Sequence, residues 1–159
     1  MLTRKYIKFV VLAIILFGPA VIPAEEETAL IHPNDGATLL NPNSASNEEL
    51  DALPYIDKSE IEAIISGRFF ATISALNELL SAWLNNEQLE HLYGKLFVPI
   101  NLNSASEEDI LLIPGINKRM AHEFQEYRPY KSMQQFRREI GKYVNAKEIA
   151  RLEMYVTLD

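Results

Sequence analysis

Asn41-Pro-Asn-Ser-Ala-Ser46 returns later in the chain as Asn101-Leu-Asn-Ser-Ala-Ser106. The register that aligns the two stretches runs on without a gap. Pro54 meets Pro114, Ile56 meets Ile116, Lys58 meets Lys118 and Arg68 meets Arg128. Further along, Trp83 meets Tyr143, Asn85 meets Asn145 and Leu92 meets Leu152. Gapless self-similarity over this length marks duplication of one supersecondary unit, and it divides the region into units at 41–98 and 99–159.

Each unit reads as four short amphipathic helices, with no strand alternation, so the expected fold class is all-α. Ser46 with Glu49, and Ser106 with Asp109, stand at capping-box spacing: the hydroxyl accepts from early backbone N–H groups and the acid favours the helix N-terminus. The helix so opened carries Leu50 and Leu53, or Ile110 and Ile113, and Pro54 or Pro114 stops it. A second helix carries Ile61, Ile64 and Ile65, matched by Ala121, Phe124 and Gln125. A third starts after Thr72 or Ser132, and Asn85 or Asn145 is expected to end it in the left-handed conformation. A fourth carries Leu89, Leu92 and Leu96, or Ile149, Leu152 and Val156. Trp83, Tyr143, Phe124 and Phe136 stand at helical spacing and are expected in the core.

Ahead of the repeat, Arg4, Lys5 and Lys8 precede the apolar run Phe9–Phe17, and Gly18-Pro19 and the small residues Ala20 and Ala24 follow. That order is the pattern of a secretory signal peptide, residues 1–24, with Ala20 as the alternative cleavage point. The apolar run is shorter than the roughly 20 residues a spanning helix needs. The expected location is therefore exported, periplasmic or secreted, with membrane contact only if the segment stays uncleaved as an anchor. Residues 25–40 open on Glu25-Glu26-Glu27, lack periodicity and read as a flexible acidic linker.

Asn101-Leu-Asn-Ser-Ala-Ser106, Leu112-Ile-Pro-Gly-Ile-Asn117, and then Arg128, Tyr130 and Ser132 resemble the helix-hairpin-helix domain of the ComEA-like competence DNA-receptor proteins. The resemblance covers nearly all of 101–159, with 41–97 as a more distant copy. It implies two tandem helix-hairpin-helix units and sequence-independent binding of double-stranded DNA. The physics of the hairpin is independent of the name. A tight turn into a helix exposes consecutive backbone N–H groups at the positive end of the helix dipole, and Gly115 lets an anion approach closely. Contacts of this kind touch phosphates and not bases. The candidate phosphate-binding set is Gly115, Ile116, Asn117, Lys118, Arg119, Arg128, Arg137, Arg138 and Lys147. Asn117 replaces the family's second glycine and is expected to tolerate a left-handed turn. Arg68 and Arg128 read equally as caps on terminal carbonyls. In the first unit the hairpin is Leu53-Pro-Tyr-Ile-Asp57, without glycine and with an acid where the phosphate would sit.

The whole chain of 159 residues carries net charge −7, from 15 Lys+Arg against 22 Asp+Glu, which argues against uniform coating of a polyanion. The units differ, however. Residues 41–98 hold Lys58, Arg68 and Lys95 against nine acids, whereas 101–159 balance nine bases with nine acids. That asymmetry points to a second unit facing polyanions and a first facing something else. The partner alternatives are double-stranded DNA and an envelope protein docked on the acidic first unit, with the chain then acting as a helical scaffold. There is no cysteine, and His32, His91 and His122 show no metal-ligand spacing. With no nucleophile motif or phosphate-binding glycine loop either, the expectation is a non-enzyme with no metal, cofactor or small-molecule substrate.

Overall fold

The structure, a computed structural model, describes residues 38–158. The segment at 1–24 expected to be a signal peptide, and all but the end of the expected linker, lie outside the described residues. The described chain runs α1 (Asn47–Asp51), α2 (Lys58–Gly67), α3 (Ile73–Leu80), α4 (Asn86–Tyr93), β1 (Ile100–Asn101), α5 (Glu107–Leu111), α6 (Lys118–Glu126), α7 (Met133–Ile140), α8 (Ala146–Leu152), a 3-10 turn (Glu153–Tyr155) and β2 (Val156–Thr157). The fold is all-α, with four short helices in each half. None of the described helices is long and apolar enough to cross a membrane.

Helices this short are marginal on propensity alone, so caps and packing carry them. Ser46 and Ser106 close full capping boxes with Glu49 and Asp109, as their spacing predicts. Asn85 and Asn145 correct the sequence reading. Both are extended, with φ −79° and −78°, and their side chains accept from Gln88 N–H and Glu148 N–H. They start α4 and α8 rather than ending the preceding helix in a left-handed turn.

The Asn-x-Asn-Ser-Ala stretch has a structural purpose that the repeat alone does not disclose. Asn41 and Asn101 accept from the N–H groups of Asn43 and Asn103, each making a local side-chain turn. Asn43 then exchanges two hydrogen bonds with the backbone of Phe70, and Asn103 does the same with Tyr130, at 2.7–3.0 Å. Arg68 donates to the carbonyls of Pro42 and Ala45, and Arg128 to those of Leu102 and Ala105. The two halves thus make the same long-range hydrogen bonds in the same register.

A short parallel ladder, unsignalled in the sequence, pairs Ile100 with Val156 and Asn101 with Thr157. Leu40 pairs with Leu96 at the corresponding place in the first half. Leu96 and Val156, expected on the fourth helices, therefore lie past the ends of α4 and α8, and Leu40, expected in the linker, packs against the core. Pairs this short leave no period-two pattern to read.

Buried residues of both halves form one continuous core. Phe97 is fully buried, with its ring edge-on to Tyr93 at 6.1 Å and to Tyr155 at 4.9 Å, which joins the first half to the second. Trp83 and Tyr143, expected in this core, are instead 49% and 37% exposed; Phe124 and Phe136 are buried and meet edge-to-face at 5.3 Å. The exposed pair sits in the α3–α4 and α7–α8 turns, where the helical spacing that suggested burial has already ended.

A second join is polar. Asp109, only 5% exposed, accepts from Ser74 N–H at 3.1 Å and Ser74 Oγ–H at 2.6 Å, while also capping α5 through Ser106. Burial alone would raise its carboxyl; the bonds from Ser74 and Ser106 outweigh that and hold it below the ordinary value. A depressed carboxyl stabilises the fold fully above the unfolded-state pKa of about 4, and that contribution fades as pH falls through the folded value. Asp109→Asn should accordingly cost about 1–2 kcal/mol at neutral pH. Thermal melts from pH 6 to pH 3 should show a shallower loss of stability in the variant than in the wild type.

Candidate nucleic-acid interface

The α5–α6 hairpin is built by local bonds. Ile113 N–H donates to Ile110 O and Ile116 N–H to Ile113 O, closing the turn around Pro114 and Gly115. Gly115 has φ 76°, the left-handed region where a side chain is strained, so the turn itself accounts for the glycine. Asn117 is extended at φ −105° and not left-handed as expected. Its Oδ1 accepts from Met120 N–H, making it the N-cap of α6. That cap accounts for an asparagine at this position.

Lys118 and Arg119 open α6 and are exposed, as is Lys147 near the start of α8. The first N–H groups of a helix have no acceptor within it, so the Lys118 and Arg119 amides face the same side as the dipole's positive end. None of the three cations makes an ion pair among the described residues, and neither does Lys131. The other predicted cations are engaged. Arg137 pairs with Glu153, Arg138 donates to Glu139 at 2.6 and 2.8 Å, and Lys142 also pairs with Glu139.

Arg128 departs furthest from its place in the phosphate set. Its Nε and Nη2 donate to Leu102 O at 2.6 Å and Ala105 O at 2.8 Å. Burial lowers the guanidinium pKa, and the nearby Tyr130 hydroxyl opposes the shift. With its fork spent on carbonyls, the side chain ties the end of α6 to the start of the unit. Arg68 and Arg128 thus bond carbonyls, but those of the stretches ahead of α1 and α5 and not the terminal carbonyls of a helix that the capping reading expects.

The hairpin amide already has an acceptor that sequence reasoning missed. Gly115 N–H donates to Glu90 Oε1 at 3.3 Å, across a cleft of about 250 Å³ between α4 and the hairpin. A contact spanning the two halves leaves no local sequence signal. In the first half, Tyr55 holds the position that Gly115 holds in the second, with φ 64°. A non-glycine residue there costs on the order of 1–3 kcal/mol, so the surrounding fold imposes the hairpin shape even without glycine. Tyr55 is 47% exposed and meets His91 edge-on at 6.1 Å. Asp57 caps α2 in a capping box with Glu60. The first hairpin thus presents the Tyr55 ring, the capping Asp57 and one exposed cation, Lys58, where the second presents the Gly115 turn and two, Lys118 and Arg119.

No group of His, Asp or Glu among the described residues could hold a metal ion. No curated protein matches the chain, and no solved structure does. Residues 95–156 match the family model of the helix-hairpin-helix motif, the α5–α6 hairpin included, and so carry that motif.

Proposed function

We propose that the protein binds the backbone of double-stranded DNA without reading its sequence, through the α5–α6 hairpin. The observation that carries this reading is the exposed Gly115 turn leading into unpaired Lys118 and Arg119. A helix-hairpin-helix motif over this region is consistent with nucleic-acid binding. In this proposal the first half is a degenerate copy of the same unit, the chain is exported by the segment at 1–24, and DNA is handled outside the cytoplasm in a ComEA-like role. No catalytic step, metal or cofactor is part of the proposal. The working cations are Lys118, Arg119 and Lys147, with the backbone N–H groups of Gly115 and Asn117, since the Ile116 N–H is spent on Ile113 O; Arg137 and Arg138 contribute only by exchanging their carboxylates for phosphates, and Arg128 holds the scaffold.

The test is duplex binding across salt. Duplexes of unrelated composition should bind alike, and affinity should fall with a log–log salt slope of about −2 to −3, since two or three phosphates are neutralised. Lys118→Ala with Arg119→Ala should weaken binding and reduce that slope by about 2, each lysine or arginine accounting for roughly one counterion. Absence of binding at low salt would sink the reading.

A second reading has its own observation. Tyr55, Phe69 and Trp83 are 47%, 86% and 49% exposed, all on the acidic half. Exposed aromatics of this size are enriched where proteins meet proteins, which favours an envelope partner docked on the first half. Pull-down that depends on Phe69 and Trp83 and survives loss of Lys118 and Arg119 would support it.

A further inference from the structure

We propose that Glu90 is a built-in competitor for the hairpin: its carboxylate holds the Gly115 N–H and must leave before a backbone phosphate can take that donor. The inference rests on the phosphate-binding reading above and deepens it by assigning the first half a part in regulating the same site.

The geometry supplies a movable acid on a fixed support. Leu89, Leu92 and Tyr93 of α4 are buried, and Tyr93 donates from its hydroxyl to Asn77 Oδ1 at 2.9 Å, so the helix backbone is held. Glu90 itself is exposed, and Gly115 N–H is its hydrogen-bond partner. The Ser74–Asp109 bonds clamp α3 to α5, the helix that leads into the hairpin, and keep α4 beside the turn. The acid is therefore tethered at the amide, at an effective concentration no free anion matches at low dose. Around it, the cleft is open, with Asn77 and Asn86 on one wall and Pro114 and Ile116 on the other, so the side chain has room to swing away. The first half has no open anion turn of its own, since Tyr55 and Asp57 stand at its hairpin. Its acid at the second hairpin gives the charge asymmetry of the chain a purpose: it sets a threshold that only a dense polyanion overcomes.

The experiment compares the full chain with Glu90→Ala and with Glu87→Ala, the same charge change on the same helix without contact to the hairpin. Both positions are exposed and alanine is the best helix former, so α4 persists in each variant, although Glu87→Ala gives up a favourable first-turn acid. In fluorescence anisotropy with a labelled duplex of about 20 base pairs at low salt, Glu90→Ala should bind about three- to fivefold tighter than wild type. Glu87→Ala should give less than half that gain. Equal gains, or none for Glu90→Ala, overturn the proposal. If no variant binds duplex, the nucleic-acid reading fails, and Glu90 is judged on inorganic phosphate by the NMR shift of the Gly115 amide. A phosphate-dependent shift in Glu90→Ala that wild type lacks supports competition; the same response in both overturns it.

Discussion

Arg128→Ala should lower the stability of the protein by about 2–4 kcal/mol, read as a drop in the midpoint of urea denaturation, and Arg128→Lys should restore little of it. The guanidinium donates to two carbonyls from two nitrogens in a fixed fork, Nε to Leu102 O and Nη2 to Ala105 O. A lysine brings one compact ammonium on a flexible stem and cannot reproduce both directions. Removing the side chain leaves two half-buried carbonyls without their charged donor, and hydrogen bonds to charged groups are the costly ones to lose. Arg68→Ala should behave alike, because Arg68 makes the same pair of bonds to Pro42 O and Ala45 O. The opposite pattern, an unchanged midpoint with weakened duplex binding, would return Arg128 to the phosphate set.

Arg128 also marks where reading the sequence reaches its limit. Its alignment with Arg68 is visible from residues alone, and so are the caps at Ser46 and Ser106, because these are local: a hydroxyl and an acid three residues apart leave a spacing. The helices follow from such spacings, and the all-α fold with them. What the arginine touches is not local. Its partners lie 26 and 23 residues away, and no periodicity encodes that distance. Both roles thus fitted the residue type equally well. The same reason hides the Leu40–Leu96 bridge and the Glu90 contact to Gly115, each made by chain segments distant in sequence. Within the hairpin, Gly115 was legible because only backbone geometry is involved. Asn117 is ambiguous in sequence, since asparagine serves both left-handed turns and helix caps, and the tertiary path of α6 decides for the cap.

Phe97→Ala should cost about 3–5 kcal/mol and should unsettle both halves at once. Phe97 is fully buried, closes on Tyr155 at 4.9 Å and on Tyr93 at 6.1 Å, and is the aromatic bridge between the halves. Truncation removes ring burial and two edge-to-face contacts, each worth about 0.5–1.5 kcal/mol beyond area. Because the buried residues form one continuous core, the loss is shared. Trp83, the single tryptophan, reports on the first half by fluorescence, while helical ellipticity reports on both. In wild type and in the milder Phe97→Leu variant, the two signals should fall at the same denaturant concentration, as a single cooperative transition requires. Separate midpoints would instead establish two autonomous units. The same packing bears on any dissection of the chain. A fragment starting at Asn101 discards Phe97, Val98 and Ile100, all buried, and leaves Tyr155 and Val156 without their neighbours. Such a fragment should be largely unfolded, so its failure to bind DNA would report lost structure and not a missing site. A fragment starting at Lys95, where the helix-hairpin-helix match begins, keeps Phe97 and Ile100 but still loses Tyr93 and the Ser74 bonds to Asp109. It should regain part of the helical signal and melt below the intact protein.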